Sequence, residues 1–256
     1  MFKILPRKGR RPSARRPEST RRFEAPLTPA QDLAVIGDVH GCDSLLQALL
    51  DQIEAEAPEA QLVLVGDLID RGEASAQVLD MVFARRARCI ALRGNHEELM
   101  LEFLEVPERA GARWLRNGGL QTLASFDIGG VTERTPDEGL RRARDQLRAS
   151  LGTEKEAWLR ACPRAWTSGN VTVTHAGADP WLPISAQKPS CLTWGHPDFG
   201  LRARTDGIWV VHGHTIVEAP VCDQGIISVD TGAYACGRLT SALISGQGVR
   251  FISVGA

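Results

Sequence analysis

The sequence predicts an α/β fold in which two mixed β-sheets form a sandwich flanked by helices. Six short apolar runs, each ending at a Gly together with an Asp, Asn or His, predict buried strands. The runs cover residues 34–36, 62–65, 90–92, 171–174, 208–211 and 226–229. Amphipathic stretches between the first three runs predict helices, so the chain begins as a βαβαβ unit with a parallel sheet. Short polar connections between the later runs favour a second, more mixed sheet.

The length and the charge pattern indicate one domain preceded by a basic tail. A chain of 256 residues suits one sizeable α/β domain and is short for two. Residues 1–26 hold nine Lys or Arg against Glu18 and Glu24, whereas the remainder is acidic and brings the net charge to −1. We therefore predict a basic, proline-rich and disordered tail over residues 1–30, and one domain over residues 31–256. A weak role for the tail in binding nucleic acid or another acidic surface is the alternative.

The composition excludes several classes of protein. Hydrophobic residues make up 43 % of the chain and charged residues 24 %, as in an ordinary globular protein. No apolar run approaches the roughly 18 residues of a membrane span. The six cysteines are scattered and form no C-x-x-C pair, which favours reduced thiols and a cytoplasmic location over a disulfide framework.

Polar residues that end the predicted strands indicate a metal site. In an open α/β sheet the ligand site lies outside the carboxyl ends of the strands, so these side chains converge. Five of the six histidines are among them, and carboxylates combined with imidazoles suit Mn, Fe or Zn. Two such ions about 3.5–4 Å apart form the usual clamp for in-line attack on phosphorus. The residues are Asp38, His40, Asp67, Asp70, Asn95, His96, His175, His212, His214 and Asp230.

The motifs around these residues resemble those of the PPP-type metallophosphatases, within the calcineurin-like metallophosphoesterase superfamily. The order of the motifs is similar to that of the bacterial and phage-type serine/threonine phosphatase branch, over about residues 32–254. The resemblance implies the calcineurin-like sandwich fold. Its motifs here are Gly37-Asp38-Val39-His40-Gly41, Gly66-Asp67-Leu68-Ile69-Asp70-Arg71-Gly72, Gly94-Asn95-His96-Glu97, Trp114-x-x-Asn117-Gly118-Gly119, His175-Ala176-Gly177, Gly213-His214-Thr215 and Asp230-Thr231-Gly232-Ala233.

The resemblance also implies a site with two divalent metal ions, of which manganese is the expected one and iron or zinc the alternatives. The first ion would be held by Asp38 and His40, and Asp67 would bridge both ions. The second ion would be completed by Asn95, His175 and His214.

The same resemblance implies catalytic and substrate-binding roles. A water activated by the two ions would attack phosphorus directly, and His96 would protonate the leaving oxygen while Asp70 orients it. Arg71 would hold phosphate oxygens with its forked donors, and Asn95 would contact the substrate as well as a metal ion.

The expected function is phosphomonoester hydrolysis, with a serine/threonine or dual-specificity phosphoprotein phosphatase as the leading hypothesis. Asp70-Arg71-Gly72 and Glu97 favour this reading over hydrolysis of a dinucleoside polyphosphate such as diadenosine tetraphosphate, or of another nucleotide, which remains the alternative. The expected partner is a phosphoprotein or a small phosphoester, and neither a membrane nor a nucleic acid. A catalytically inactive scaffold is disfavoured because every motif ligand is present.

The chain departs from the resemblance at Trp194-Gly195-His196, where the bacterial members have Trp-x-Arg and the Arg binds phosphate. His196 is therefore a candidate substitute for that contact, with a structural role as the alternative. A histidine is only partly charged near neutral pH and cannot reproduce the bidentate geometry of a guanidinium group. Arg202 or Arg204 could instead supply the missing charge.

Overall fold

The computed structural model describes residues 22–255, so residues 1–21 of the predicted tail lie outside the described residues. The strands are β1 (Leu33–Ile36), β2 (Gln61–Leu64), β3 (Cys89–Ala91), β4 (Ala165–Ser168), β5 (Val171–Thr174), β6 (Trp209–His212), β7 (Val221–Asp223), β8 (Ile226–Ser228), β9 (Arg238–Ser245) and β10 (Gly248–Gly255). The helices are α1 (Asp43–Glu56), α2 (Ser75–Ala84), α3 (Asn95–Glu105), α4 (Pro107–Trp114), α5 (Leu120–Ser125), α6 (Asp137–Leu151), α7 (Thr153–Ala161), α8 (Pro189–Trp194) and α9 (Ala233–Cys236). A π-helical turn, Leu115–Gly119, joins α4 to α5, and Ile184–Ala186 forms a 3-10 turn.

The strands form two mixed five-stranded sheets, which confirms the predicted two-sheet α/β architecture. The first sheet has the order β10-β9-β1-β2-β3 and the second has the order β4-β5-β6-β8-β7. Pairing is parallel within β1-β2-β3 and within β5-β6-β8, and antiparallel at the remaining positions. All six apolar runs predicted as strands are strands here, namely β1, β2, β3, β5, β6 and β8.

The core lies in two layers because strand residues alternate between the faces of a sheet. Val35 and Val63 of the first sheet pack against Val173 and Val211 of the second sheet, inside the sandwich. Their neighbours Ala34, Ile36 and Leu64 point the other way and pack against the apolar stripes of the helices. The parallel strands are therefore buried on both faces, and their polar ends are brought to one edge of the sandwich.

The long helical region after Asn95 comprises α3 to α7. The Thr153-x-x-Glu156 pattern at the start of α7 does not form a capping box. Thr153 is already the first residue of α7, and the carboxylate of Glu156 accepts hydrogen bonds from Arg148 and Arg160 instead. Among residues 22–255, no helix has the length and apolar character needed to cross a membrane.

Residues 22–30, which we assigned to the tail, form no regular secondary structure and pack against the second sheet. The backbone N–H of Thr28 donates to Asn170 Oδ1 at 2.7 Å, and the indole N–H of Trp209 donates to the carbonyl oxygen of Ala25 at 3.1 Å. The ring of Phe23 packs edge-on against Trp209, with centroids 5.0 Å apart. This segment differs from the predicted disordered tail because its backbone groups find partners on the sheet.

Candidate active site

The polar side chains that follow the parallel strands lie at one edge of the sandwich. Asp38 and His40 follow β1, Asp67 follows β2, and Asn95 and His96 open α3 directly after β3. On the second sheet, the corresponding residues are His175 after β5 and His214 after β6. The carboxyl ends of both sheets meet here, since His175 Nδ1 lies 3.1 Å from the carbonyl oxygen of Val65, at the end of β2.

Two groups of possible metal ligands share Asp67. The first group is His40, Asp67 and His96, and the second is Asp67, His175 and His214, each with ligand atoms within 4.8 Å of one another. Asp67 is common to both groups, as a residue that bridged two ions would be, and its bridging role stays a prediction. Asn95 joins the second group, because its Oδ1 lies 2.8 Å from His175 Nε2 and 2.9 Å from His214 Nδ1.

Asp38 lies beside these groups without belonging to either of them among the residues that the structure describes. Both of its carboxylate oxygens accept a hydrogen bond from the backbone N–H of His214, at 3.1 and 3.0 Å. Burial raises the pKa of Asp38 well above its usual value, and the nearby Asp230 and Asp67 carboxylates raise it further. Such crowding of buried carboxylates is relieved when a cation binds between them.

The histidine tautomers show that the donor set fits a metal ion. His40 Nδ1 lies 2.8 Å from the carbonyl oxygen of Ile69, and His175 Nδ1 lies close to that of Val65. Because a carbonyl oxygen only accepts, each Nδ1 carries the proton. Burial lowers the pKa of both histidines to about 4, so both rings are neutral and each Nε2 presents a lone pair.

Those lone pairs face other acceptors. His175 Nε2 points at Asn95 Oδ1, and His40 Nε2 lies 3.5 Å from Asp67 Oδ2. Acceptor facing acceptor is unfavourable unless a cation sits among them. A spacing of about 3 Å between two ligand atoms is also the one expected when both bind the same ion at about 2.1 Å. The residues present therefore fit divalent ions of the Mn, Fe or Zn type.

His96 is held by a buried carboxylate. Its Nδ1 lies 2.7 Å from Asp70 Oδ2, and neither side chain is appreciably exposed. Burial acts to lower the pKa of His96, but Asp67 and Asp70 outweigh it, so the pKa lies above its usual value. The imidazolium form is favoured, and its Nε2 lies 3.8 Å from Asp67 Oδ2, beside the first ligand group.

Arg71 lies at the mouth of the site next to Tyr234. A guanidinium nitrogen donates to the Tyr234 hydroxyl at 2.9 Å, and the guanidinium carbon is 4.9 Å from the centre of the ring. The same ring packs edge-on against His40, with centroids 5.0 Å apart. Tyr234 therefore joins the predicted phosphate-binding arginine to the predicted first metal site.

The backbone is strained at this edge. Residues 22–255 include seven non-glycine residues with positive φ, and five of them belong to the site. Each such conformation costs about 1–3 kcal/mol and persists where surrounding contacts impose it, most often at functional sites. The five residues are His40, Asp67, Asp70, Arg71 and His214, with φ between 46° and 70°.

The family follows from a model of calcineurin-like phosphoesterases, which matches residues 32–218 and so includes every residue of the two ligand groups described above. The chain belongs to the calcineurin-like phosphoesterase family. Proteins of this family are metal-dependent phosphoesterases with a site of two divalent ions, and the two ligand groups described above fit such a site.

Named relatives of this phosphoesterase fall into two groups. It is 41 % identical over 88 residues to serine/threonine-protein phosphatase 1 of Salmonella typhimurium, a match that covers 33 % of this chain and 38 % of that protein. It is 31 % identical over 254 residues to a symmetrical bis(5′-nucleosyl)-tetraphosphatase of Pseudomonas syringae, covering 80 % of this chain and 83 % of that protein. The chain spans less than half the length of several of the curated relatives that it matches, the Salmonella protein included.

A solved structure with a proposed diadenosine tetraphosphatase activity is similar to the phosphoesterase along almost its whole length. The TM-score is 0.63 at 22 % sequence identity, and the match covers 91 % of this chain and 99 % of the other. At this identity the likeness supports the fold, and it agrees with the two mixed sheets and flanking helices described above.

His196 contacts Asp198 and Asp179. Its Nδ1 accepts the backbone N–H of Asp198 at 3.2 Å, and its Nε2 lies 3.6 Å from Asp179 Oδ2. It belongs to neither ligand group, and its contact with phosphate stays a prediction. Arg204 is excluded as the alternative, because its guanidinium donates to the carbonyl oxygens of Asp179 and Leu182, both at 2.9 Å, and to Asp206.

Sequence reasoning missed the supporting contacts of three residues, two of which, Trp114 and Glu97, belong to the motifs. Trp114 and Thr122 donate hydrogen bonds to Asp70. Glu97 accepts three backbone N–H groups, from Asp67 at 2.9 Å and from Leu68 and Gly94 at 2.8 Å. The signals were available: a buried indole N–H needs an acceptor, and a Glu at the third helical position reaches back to the residue before the helix.

Proposed function

We propose that the phosphoesterase hydrolyses phosphate monoesters on serine or threonine side chains of proteins, by direct attack of water on phosphorus. The observation that carries this proposal is the buried Asp70–His96 pair, which lies against the Asp67 ligand groups and beside Arg71. This arrangement would bring together a proton donor, a cationic phosphate contact and a metal centre at one edge of the fold.

The metal ions would be held by the residues that the motifs indicate. Asp38, His40 and Asp67 would hold one ion, and the other would bind Asp67 together with Asn95, His175 and His214. Bound there, two divalent ions would lower the pKa of water and withdraw charge from a phosphate oxygen. Manganese is our proposed native metal, since the mixed oxygen and nitrogen donors suit it and do not exclude iron or zinc.

His96 would donate the proton that the leaving oxygen needs. Asp67 and Asp70 hold the pKa of His96 above its usual value despite burial, which favours the protonated state required of a general acid. Asp70 accepts a hydrogen bond from His96 Nδ1 at 2.7 Å. This contact would direct Nε2 towards the bound substrate. The alkoxide of a serine or threonine is a poor leaving group, so this proton contributes most for such substrates.

Arg71 would bind the phosphoryl group of the substrate. Its planar guanidinium presents parallel donors that match two phosphate oxygens, and Tyr234 holds it at the mouth of the site. The amide of Asn95 would bind the phosphoryl group beside Arg71. His196 would supply a further, weaker contact with the same group.

Two observations support a phosphoprotein as the substrate. The Asp70-Arg71-Gly72 motif is intact, and the relative with 41 % identity is named as a serine/threonine phosphatase. In addition, Arg204 is fully engaged with Asp206 and two carbonyl oxygens. Arg71, which contacts Tyr234 beside His40, would then be the main cationic contact, and one such contact suits a single phosphoryl group.

A dinucleoside polyphosphate is the second candidate substrate. The longer match, at 31 % identity over 80 % of this chain, is to a bis(5′-nucleosyl)-tetraphosphatase. That chemistry would use the same metal groups and the same proton donor, so the difference between the two candidates lies in the surface around the site.

The deciding experiment compares substrates on one enzyme preparation. Metal-stripped enzyme is reconstituted with manganese and assayed on phosphoserine, phosphothreonine and phosphotyrosine peptides and on diadenosine tetraphosphate. We expect higher kcat/KM on the phosphoserine and phosphothreonine peptides, and a loss of about 10²–10⁴-fold in His96→Ala. Higher kcat/KM on the dinucleotide would replace the first candidate with the second, and full activity in His96→Ala would remove the proton-donor role.

The location and the tail belong to the same proposal. All six cysteines lie within the described residues and are unpaired, which supports action in a reducing compartment such as the cytoplasm. We propose that the basic residues before Arg22 form a tail. The folded domain would then begin with the packed segment of residues 22–30.

A further inference from the structure

Asp70 has more partners than its pairing with His96 requires. The indole N–H of Trp114 donates to both carboxylate oxygens, at 3.1 Å to Oδ1 and 3.0 Å to Oδ2. The Thr122 hydroxyl donates to Oδ1 at 2.6 Å. All three side chains are completely buried, so water cannot replace these contacts.

The backbone around Trp114 is shaped to make these contacts. The π-helical turn Leu115–Gly119 contains Gly118 with φ 110°, and a Cβ there would lie 2.5 Å from the backbone nitrogen of Arg71. Gly119 lies flat against the indole, where a Cβ would approach the ring to 2.6 Å. Gly118 lets this turn press against Asp70 and Arg71, and Gly119 lets it press against the indole ring of Trp114.

Burial alone does not account for this arrangement. Packing against Phe103, with ring centroids 4.7 Å apart, explains why Trp114 is apolar and large. It does not require the N–H group to meet a carboxylate that already binds His96. The terminal torsion of an aspartate is otherwise soft, and donors on both oxygens fix the plane of the carboxylate.

We propose that Trp114 and Thr122 are positioning residues for proton transfer to the leaving group. They hold the Asp70 carboxylate in one orientation, and Asp70 in turn holds the His96 ring so that Nε2 faces the departing oxygen. The inference rests on the proposed role of His96 as the proton donor and extends it to two residues that touch neither substrate nor metal.

The inference predicts an effect that depends on the leaving group. A 4-nitrophenolate leaves readily without a proton, whereas the alkoxide of phosphoserine needs one. Trp114→Phe, which removes only the donor, should lower kcat about 10–100-fold on a phosphoserine peptide, as outer-shell partners typically do. On 4-nitrophenyl phosphate kcat should fall less than about 3-fold, and KM should stay unchanged for both substrates.

Thr122 gives an independent pair of variants. Thr122→Val removes the hydroxyl at nearly constant volume and should reproduce the selective loss, whereas Thr122→Ser keeps the hydroxyl and should restore activity on the peptide. Trp158→Phe is the matched control, because it makes the same chemical change at a partly buried indole that packs on Phe83. Tm and bound manganese are measured for every variant.

The assay also separates this inference from the proposal beneath it. A selective loss in His96→Ala, with no further loss when Trp114→Phe is added, supports both ideas, because residues acting as a unit are non-additive. Equal losses on both substrates in His96→Ala would overturn the proton-donor role itself. A selective loss in His96→Ala combined with no loss, or an equal loss, in both Trp114→Phe and Thr122→Val would overturn the positioning role alone.

Discussion

Both edges of the sandwich contain glycines with positive φ, but the edges differ in the non-glycine residues that adopt this conformation. At the edge with the ligand groups, five non-glycine residues, among them Asp70 and Arg71, adopt positive φ. At the opposite edge, where the parallel strands of the second sheet begin, Gly169, Gly207 and Gly225 adopt it instead, with Gln224 as the exception. Glycine takes up this conformation without the steric penalty that a Cβ imposes.

This difference indicates that the backbone at the ligand edge is strained in order to present functional side chains, whereas the backbone at the opposite edge is not. The glycine turns are pressed against residues 22–30: a Cβ at Gly169 would lie 2.0 Å from the carbonyl oxygen of Thr28. The strained residues carry side chains that a glycine could not supply. We therefore expect substitutions at the first edge to change activity and those at the second to change stability.

The largest expected effect is at Asp67, which both ligand groups share. Asp67→Asn should lower turnover about 10³-fold or more, because it removes several kcal/mol of metal-dependent stabilisation of the transition state. Manganese should raise the Tm of the stripped wild-type protein and not that of the variant. Asp51→Asn, an exposed carboxylate on α1, is the control. Normal metal content and activity in Asp67→Asn would contradict the shared-ligand reading.

His212 should make the catalytic edge sensitive to acid. Burial lowers its pKa from 6.5 to about 4, and its Nε2 lies 2.8 Å from the Ser228 hydroxyl. Since the folded pKa is below the unfolded one, the unfolded chain takes up the proton first. The contribution of His212 is therefore complete above pH 6.5 and is lost as the pH falls towards 4, by up to about 3 kcal/mol.

Chemical denaturation of wild type and His212→Gln between pH 8 and 4 tests this sign. The free energy of unfolding should fall less steeply in the variant over the acidic half of that range. Parallel curves at every pH would show that His212 does not contribute to the acid sensitivity.

Gly169 should give the clearest stability effect at the opposite edge. Gly169→Ala places a Cβ at φ 57° against backbone, which should cost about 2 kcal/mol of unfolding free energy. Metal binding and kcat should stay at the wild-type values. Gly246→Ala, where a Cβ would meet nothing within 4 Å, serves as the matched control. A loss of kcat in a Gly169→Ala protein that remains folded would break the comparison between the two edges.

Phe23 should give the smallest of these effects. Phe23→Ala removes the edge-on contact with Trp209, and an aromatic pair of this kind contributes about 0.5–1.5 kcal/mol. Urea titration should show that loss with kcat unchanged. A deletion of residues 1–21 keeps the aromatic pair and is the comparison protein. An unchanged urea midpoint in Phe23→Ala would show that residues 22–30 do not unfold cooperatively with the rest of the domain.

The six buried strands could be predicted because parallel strands covered on both faces are apolar runs. The remaining strands could not, since they mix polar and apolar residues: β7 is wholly exposed, and β9 carries Arg238 and Thr240. The site residues that directly follow a predicted strand could be predicted from the sequence. Trp114 and Thr122 could not, because they lie 44 and 52 residues from Asp70 along the chain and only the folded helices bring them together.

The position of Arg22 has a practical consequence. Arg22 lies next to Phe23, which Gln224 and Trp209 hold beside the glycine turns, on the edge away from the ligand groups. A surface linker, an affinity handle or a fused reporter joined at this point would leave the mouth formed by Arg71 and Tyr234 facing solution. The fold thus offers an oriented attachment point for single-molecule or biosensor work without engineering of the catalytic edge.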